Sequence, residues 1–288
     1  MIETKVSSTT REVIISDQQP TVLIGERINP TGKKKLQEAL RSGNMDVVRQ
    51  EAITQVQAGA DILDVNVSTI GVDDVAMLPI AVQTVMSVVD VPLCLDCTNA
   101  AALEAALKIY KGKPIINSVS GEERSLAAVL PLVKKYGAAV IGLVQDDAGI
   151  PNSAERRIEV AHKIVKRAEA MGISRENILI DVETFSVGAD PTFGPKVTEA
   201  IRQIKLQLGV NVTLAVSNVS FGLPDRGLLN NAFAAQAVSA GINCIIADVA
   251  KLRPVVLAAD LVMGKDKRAR RYIEAFRQRQ SLIDSEKK

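Results

Sequence analysis

Histidine and cysteine are scarce in this sequence. The 288 residues include one histidine, His162, and three cysteines. Zinc sites need clusters of these residues, so no zinc site is expected, and His162, inside a predicted helix, is interpreted as a surface or packing residue. An odd number of cysteines does not suggest a disulfide framework. Cys94 and Cys97 form a C-x-x-C that straddles the end of a predicted strand, and we interpret both as core residues.

Long apolar runs and an excess of one charge are also missing. No apolar run approaches the length of a membrane-spanning helix, and the first twenty residues, MIETKVSSTTREVIISDQQP, contain no apolar signal core. Lys and Arg number 35 and Asp and Glu 33, a balance that argues against a broad nucleic-acid surface. Basic residues cluster only in GKDKRARRYIEAFRQRQ. We interpret this segment as a solvated helix face or as a contact for an acidic partner. We expect a cytoplasmic protein with no membrane or nucleic-acid partner.

Short β-branched and apolar runs alternate with segments of helical period along the chain. The eight predicted strands are Val22–Gly25, Ile62–Asn66, Leu93–Asp96, Ile115–Asn117, Ala139–Val144, Ile178–Asp181, Thr213–Ser217 and Cys244–Asp248. Parallel strands joined by helices, eight times over, predict an α/β fold of the (β/α)8 TIM barrel type over residues 21–265. Residues 1–20 are expected to be a flexible lead-in or a strand covering the barrel floor, and residues 266–288 an additional basic helix and tail.

Polar residues gather where the predicted strands end, which is the reactive side of this fold. Because strand side chains alternate between faces, Asp64 and Asn66 are expected to share the face of Ile62. By the same alternation, four further pairs share a face: Asp96 with Cys94, Asn117 with Ile115, Asp181 with Leu179, and Asn218 with Val216. A face that is apolar below and polar at its end fits a filled barrel capped by a ligand site, although such groups can also satisfy loop amides.

The types of polar residue at the strand ends limit the chemical class of the ligand. None of the predicted strands contains a lysine, which excludes a Schiff-base aldolase, and the one positive group near a strand end is Arg27. A phosphate site would need backbone amides with Arg or Lys, which Ser220–Arg226 offers only weakly. Four aspartates, Asp64, Asp96, Asp181 and Asp248, are suitable ligands for Mg²⁺. The asparagines between them favour instead a hydrogen-bonding pocket for a flat heterocycle with adjacent NH and C=O edges.

Six segments in chain order carry a family resemblance: LIGERINPTG, ILDVNVS, LCLDCTN, PIINSVSGE, ILIDV and LAVSNVSFGLPDR. They resemble the methyltetrahydrofolate:corrinoid-protein methyltransferases, pterin-binding barrels similar to the folate module of cobalamin-dependent methionine synthase. The resemblance implies a pterin-binding, dihydropteroate synthase-like TIM barrel. It implies methyl transfer between N5 of tetrahydrofolate and the cobalt of a corrinoid (cobalamin), in a direction that the sequence leaves open. The sequence contains no corrinoid-binding D-x-H-x-x-G, so the corrinoid is expected on a partner protein.

The resemblance also implies roles for individual residues. Asp96, Asn117 and Asp181 match contacts to the pterin ring, and Asn218 matches the residue that reaches toward N5. Asn218 and Asp181 are thus the predicted catalytic residues. The remaining predicted folate-binding residues are Glu26, Asn29, Asp64, Asn66, Ser220 and Arg226. The resemblance implies a homodimer, and it implies no bound metal.

Two departures and two alternatives accompany this resemblance. After Asp181 the chain reads VETFSVGADP where relatives have a shorter apolar loop, and Phe221 replaces a commonly polar side chain. The side of the barrel that faces the corrinoid therefore departs from the family pattern more than the pterin pocket does. A dihydropteroate synthase-like enzyme is one alternative, but the Asn-Val-Thr-Pro-Asp-Ser-Phe, Ser-Arg-Lys and Arg-x-His motifs of that enzyme are absent. The other alternative is an inactive folate-binding barrel.

Overall fold

The fold is a closed barrel of eight parallel strands in the computed structural model, which describes residues 2–286 and the side chains of residues 2–281. The barrel strands are β3 Val22–Ile28, β4 Ile62–Val65, β5 Leu93–Asp96, β6 Ile115–Ser120, β7 Ala139–Leu143, β8 Ile178–Asp181, β9 Asn211–Ala215 and β10 Cys244–Ala247. They pair in chain order, and β10 closes the barrel against β3. The predicted (β/α)8 architecture is confirmed, with all eight strands in place.

Helices surround the barrel and connect its strands. They are α1 Lys34–Ser42, α2 Asp46–Gln57, α3 Asp74–Val88, α4 Ala100–Ile109, α5 Glu123–Tyr136, α6 Ala154–Ala170, α7 Phe193–Leu208, α8 Arg226–Ala240, α9 Val249–Val262 and α10 Arg270–Glu286. Several begin at a side-chain cap: the Asp73 carboxylate accepts from the Val75 amide, and the Ser153 hydroxyl accepts from the Arg156 amide. No helix within residues 2–286 is both long and apolar enough to cross a membrane.

Two apolar layers form the core, one on each side of the strands. The outer layer lies between strands and helices, and the inner layer fills the barrel. Ile62, Cys94, Ile115 and Leu179 all belong to the inner layer, so the predicted inward faces of β4, β5, β6 and β8 are confirmed. Cys97 is buried in the outer layer, and both it and Cys94 are free thiols, which fits their interpretation as core residues.

A β-hairpin covers the amino-end floor of the barrel. Strands β1 (Thr4–Ser7) and β2 (Glu12–Ile15) pair antiparallel, and the fully buried Val6 and Ile15 extend the inner apolar layer. The Asn211 carboxamide, at the start of β9, donates to Thr4 Oγ1 at 3.0 Å and to the Ile15 carbonyl at 2.8 Å. The floor is thus sealed, and the polar strand ends at the opposite face are the open end of the barrel.

Candidate functional site

Four polar side chains meet where β4, β5 and β6 end, and we call them the carboxylate–amide cluster: Asp64, Asn66, Asp96 and Asn117. The Asn66 amide nitrogen donates to Asp96 Oδ2 at 2.9 Å, and the Asn117 amide nitrogen donates to Asp64 Oδ1 at 3.0 Å. Parallel register brings them together, because Asp96 pairs with Asn117 across β5 and β6 and Asp64 pairs with Cys94 across β4 and β5. Each asparagine therefore joins two strands and fixes the orientation of one carboxyl group.

Burial controls the protonation of the two carboxyl groups in the cluster. Asp64 is 2% exposed, and burial, followed by the neighbouring Asp96 charge, raises the pKa of Asp64 well above its usual range. Burial also raises the pKa of Asp96, while hydrogen bonds from Asn66 and Asp64 oppose the rise. Burial therefore favours the protonated form of Asp64, while Asp96 accepts the hydrogen bond from Asn66. A cluster with amides and carboxyls in both roles offers donors and acceptors side by side, as a heterocycle edge requires.

Asp181 lies at the end of β8, across the barrel from β4. It is 5% exposed, and its Oδ1 accepts from the Glu183 amide at 2.7 Å. Burial raises the pKa of Asp181 to about 7, against the opposing backbone hydrogen bond and the Arg157 charge. Glu183 adopts a left-handed backbone conformation, with φ of 49°, and this turn brings its amide back to Asp181. The carboxyl group of Asp181 is therefore held by its own loop.

Arg157 and Glu183 lie beside Asp181, although neither was among the predicted site residues. Arg157, in α6, is fully buried and donates to the Val182 and Glu183 carbonyls through Nη1 and to the Pro151 carbonyl through Nε at 3.1 Å. Burial lowers the pKa of Arg157, and burial followed by the Asp181 charge raises the pKa of Glu183 to about 8. One sequence signal existed, since Arg157 lies four and seven residues before the buried Ala161 and Ile164, on the apolar face of the helix.

The end of β3 contributes a carboxyl group with basic neighbours. Glu26 accepts from the Ser217 hydroxyl at 3.5 Å, and burial raises the pKa of Glu26 against the lowering effect of Lys33. Lys33 donates to the Arg27 carbonyl at 2.7 Å. Arg27 was the one positive group expected at a strand end. Lys33 was missed because it lies in the loop before α1, not in a strand.

Two other residues near β3 are already occupied by protein partners. Arg27 pairs with Glu51 at 3.1 Å and with Asp248 at 3.8 Å, so its charge is balanced within the protein. The Asn29 carboxamide oxygen accepts from the Thr31 amide at 3.0 Å and shapes the loop. Asp248, one of the four aspartates considered for Mg²⁺, is engaged in the ion pair with Arg27. Within the described residues, no group of three or more His, Cys, Asp or Glu side chains is arranged to hold a metal.

The expected position of Asn218 on an inward strand face was wrong. Strand β9 ends at Ala215, not Ser217, and Val216–Ser220 form a 3-10 helix with three residues per turn, which breaks the strand alternation. Val216 consequently packs in the outer layer. Asn218 is exposed, and its side chain makes no hydrogen bond to any other described residue. Its carboxamide is thus at the rim, without a hydrogen-bond partner in the part of the chain that the structure describes.

The loop after this 3-10 helix is held by polar contacts. Ser220 is fully buried, donates to Asn230 Oδ1 at 2.7 Å and accepts from Arg226 Nε at 3.0 Å. Arg226 also donates to the Ser217 carbonyl at 2.7 Å, and its guanidinium lies 6.0 Å from the centre of the Phe221 ring. Ser220 therefore supports the loop from below, whereas Arg226 and the 72% exposed Phe221 are at the surface.

Known proteins resemble the chain in sequence over most of its length. The family model described as pterin binding enzyme matches residues 25–248. A methylcorrinoid:tetrahydrofolate methyltransferase of Eubacterium limosum is 30% identical over 268 residues, which cover 89% of this chain and 96% of that protein. Methionine synthase of Mycobacterium tuberculosis is 31% identical over 266 residues, which cover 88% of this chain but 22% of the synthase.

Solved structures resemble the chain in fold. Dihydropteroate synthase of Yersinia pestis matches with a TM-score of 0.69 at 16% identity, over 91% of this chain and 99% of that one. The enzyme of Vibrio fischeri matches with a TM-score of 0.67 at 14% identity, over 90% and 98%. At these identities the likeness shows the barrel type alone. Together with the sequence matches and the polar ends of β4, β5, β6 and β8, it leads to one assignment: the chain belongs to the pterin-binding enzyme family.

Proposed function

We propose that this protein is a methyltransferase that moves a methyl group between N5 of tetrahydrofolate and the cobalt of a corrinoid carried on a partner protein. The observation that carries the proposal is the carboxylate–amide cluster at the open end of the barrel. The name of the Eubacterium limosum relative, which this chain matches over nearly its whole length, supports the same reaction. The methionine synthase match adds support for the folate half of the reaction only, because the chain spans 22% of that protein.

The pterin ring is proposed to bind at the strand ends. Its edge carries ring nitrogens, an amino group and a carbonyl, which need both donors and acceptors. Asp96, Asn117 and Asp181 are assigned to this edge, with Asp64, Asn66, Glu26 and Asn29 around them. Asp64 is almost fully buried and acts through Asn117, which it orients by the 3.0 Å hydrogen bond. A ring held on several sides fixes the position of N5, and such positioning lowers the barrier to transfer.

Asn218 is proposed to assist the cleavage of the bond between N5 and the methyl carbon. Its exposed carboxamide has no protein partner among the described residues, so it is available to a ligand at the rim. A neutral amide interacts weakly with the tertiary amine of the ground state. It interacts more strongly with the charge that develops on N5 as the bond between N5 and the methyl carbon breaks. Stabilisation confined to the transition state accelerates the step. Arg226 and Ser220 hold the loop that carries Asn218, through the contacts to Ser217 and Asn230.

The corrinoid is proposed to arrive on another protein, at the rim of the open end. Two large apolar side chains are exposed there, Ile70 in the loop after β4 at 90% and Phe221 in the loop after β9 at 72%. Apolar side chains rimmed by polar ones are common at protein interfaces. The homodimer and the cytoplasmic location remain predictions, as do the three segments proposed from the sequence: residues 1–20, 21–265 and 266–288.

Spectroscopy of free cobalamin tests the methyltransferase. Cob(I)alamin is mixed with this protein and 5-methyltetrahydrofolate, and methylcobalamin with this protein and tetrahydrofolate. We expect a change in the cobalt bands that requires both protein and folate. Asp96→Ala should abolish most of the change, whereas Asp147→Ala, which removes an exposed carboxylate after β7, should retain it. Folate binding without any cobalt change in either direction would leave the inactive folate-binding barrel as the better description.

A further inference from the structure

Unpartnered buried polar atoms concentrate in the segment that follows Asp181. Within the described residues, buried side-chain nitrogen and oxygen atoms without a hydrogen-bond partner occur in Ser16, Arg157, Glu183, Thr184, Thr213 and Arg253. Three of these residues, Arg157, Glu183 and Thr184, are neighbours in or beside the loop after β8. Buried polar groups in native proteins are nearly always hydrogen-bonded, and each exception needs an explanation, a catalytic role being one of them. The loop therefore holds polar groups that packing alone does not explain.

The backbone of this loop is fixed, while the Glu183 carboxyl group is left without a charged partner in contact. Arg157 donates to the carbonyls of Pro151, Val182 and Glu183 through Nε and Nη1, its Nη2 has no partner, and no ion pair among the described residues joins it to the Glu183 carboxyl group. The left-handed conformation of Glu183 costs on the order of 1 kcal/mol or more for a residue with a side chain. Its hydrogen bond to Asp181 and the Arg157 contacts hold that conformation in place. The structure thus maintains a carboxyl group beside Asp181 without a salt bridge.

Burial, followed by the Asp181 charge, favours the neutral form of the Glu183 carboxyl group. Asp181 faces it from β8 and Arg157 from α6, and these are the charged groups that act on it. Burial and the Asp181 carboxylate outweigh Arg157 and raise the pKa of Glu183 to about 8. Below that pH the side chain carries a proton at the open end of the barrel, where the proposed folate site lies.

Methyl transfer from folate consumes one proton, and the proposed function therefore needs a source for it. N5 of 5-methyltetrahydrofolate is a tertiary amine, and the product nitrogen is a secondary amine with an N–H bond. We propose that Glu183 carries this proton, giving it to N5 when folate is the methyl donor and taking it back when folate is the acceptor. The inference rests on the proposed methyl transfer and adds to it the residue that moves the proton.

The atoms and charges of this step balance. The Glu183 carboxyl group transfers its proton to N5, which becomes a tertiary ammonium ion, and leaves a carboxylate. The cob(I)alamin of the partner attacks the methyl carbon with its electron pair, and the carbon–nitrogen bond breaks with its pair retained on N5. Tetrahydrofolate with a neutral N5–H leaves, and the Glu183 carboxylate regains a proton from water. In the opposite direction N5 attacks the cobalt-bound methyl group, and the ammonium ion formed returns its proton to the carboxylate.

Single-turnover kinetics with Glu183→Gln test this assignment. Glutamine keeps the size and hydrogen-bonding capacity of the side chain but cannot release a proton. We expect the wild-type rate of methyl transfer from 5-methyltetrahydrofolate to fall as the pH rises above about 8. The variant rate should be lower on the order of 10²-fold at pH 7 and should not change over the same pH range. Glu155→Gln, an exposed site at the start of α6, is the matched control and should behave as wild type.

The variant must also bind folate, which separates proton transfer from binding. We expect the dissociation constant of Glu183→Gln for 5-methyltetrahydrofolate to stay within about threefold of wild type, because a proton carrier mainly changes the rate. A wild-type rate and pH profile in the variant would overturn the role of Glu183 and leave the methyltransferase intact. No methyl transfer by the wild-type protein in either direction would overturn both.

Carbon NMR gives a readout that does not depend on turnover. In protein labelled at the glutamate side-chain carboxyl carbon, the signal missing from Glu183→Gln belongs to Glu183. We expect this signal to titrate near pH 8, well above the ordinary glutamate range. Titration near pH 4.5 would show a carboxylate at neutral pH, which has no proton to give, and would overturn the proposal.

Discussion

Asp181 should make the stability of this protein depend on pH. Its pKa is raised from 3.8 to about 7 because the carboxyl group is buried. A shift of roughly 3 units, at about 1.36 kcal/mol per unit, corresponds to about 4 kcal/mol. In the unfolded chain the group loses its proton near pH 4, whereas in the folded protein it keeps the proton until pH 7. The contribution of Asp181 to the free energy of unfolding is therefore fully present below pH 4 and is lost as the pH rises from about 4 to about 7.

Replacing Asp181 with asparagine removes this dependence. Between pH 5 and pH 7 the free energy of unfolding of the wild type should fall by about 2 kcal/mol more than that of Asp181→Asn, because the slope of about 1.36 kcal/mol per pH unit decreases as the pH approaches the folded pKa of about 7. The substitution also lowers the pKa of Glu183, because the Asp181 charge that raises it is lost. The pH range over which Glu183 reduces the stability becomes narrower, so this second effect adds to the first. Urea unfolding at intervals of half a pH unit measures the difference.

A matched control comes from the same loop. Asp190 is half-buried, and hydrogen bonds from Thr192, followed by Lys196, lower its pKa to about 2. Its contribution is present above the unfolded pKa and is lost only as the pH falls toward 2, so Asp190→Asn should change stability by a constant amount between pH 5 and pH 7. Equal pH dependence in wild type and Asp181→Asn would refute the reasoning, because it would mean that Asp181 ionises at its ordinary pKa in the folded protein.

Four further outcomes are expected. Asp96→Ala should weaken binding of reduced folate by roughly 10- to 150-fold, as loss of a charged hydrogen bond costs about 1.5–3 kcal/mol, and calorimetry on the folded variant measures it. Asn218→Ala should slow single-turnover methyl transfer on the order of 10²–10³-fold with a much smaller change in folate affinity, and equal losses would make Asn218 a binding residue. Gly25→Ala should reduce the free energy of unfolding by about 1–3 kcal/mol in urea titrations, because the added Cβ would lie 2.4 Å from the Gln55 Oε1 that accepts from the Arg27 amide. Light scattering at micromolar protein should give twice the mass of one chain, and a monomer mass would contradict the homodimer.

The fold could be predicted from the sequence because its strands and helices follow local patterns of apolar and polar residues. Each strand is a short run of β-branched or apolar residues between helical segments, and eight such units in series permit few architectures. Strand ends were less readable. Strand β6 continues past Asn117 to Ser120 with a register shift, and β9 begins two residues earlier than predicted, at Asn211, which pairs with Leu179 of β8. Contacts with distant parts of the chain decide such boundaries, and they leave no local pattern.

The site was predictable where strand alternation held. Asp64, Asp96 and Asn117 meet because they end neighbouring inward faces, a consequence of period-two geometry and parallel register. Asn218 was misplaced because a 3-10 turn interrupts that period. Arg157 was missed for another reason: it lies on a helix and reaches the site only through its long side chain, which contacts carbonyls 25 and 26 residues away. Sequence patterns indicate which face a residue occupies but not which distant carbonyl it contacts.

The floor hairpin has a consequence for synthesis of the chain on the ribosome. Its anchors lie far downstream: Ser7 pairs with Lys113, Thr4 donates to the Glu176 carbonyl 172 residues later, and Asn211 reaches back 207 residues to Thr4. The hairpin is therefore synthesised well before the residues that anchor it, and its contacts are complete only once Asn211 has emerged. At roughly 5–20 residues per second the interval is about 10–40 seconds, during which the apolar Val6, Val13 and Ile15 remain uncovered. Until those contacts form, the three side chains are an exposed apolar segment of the kind to which chaperones bind.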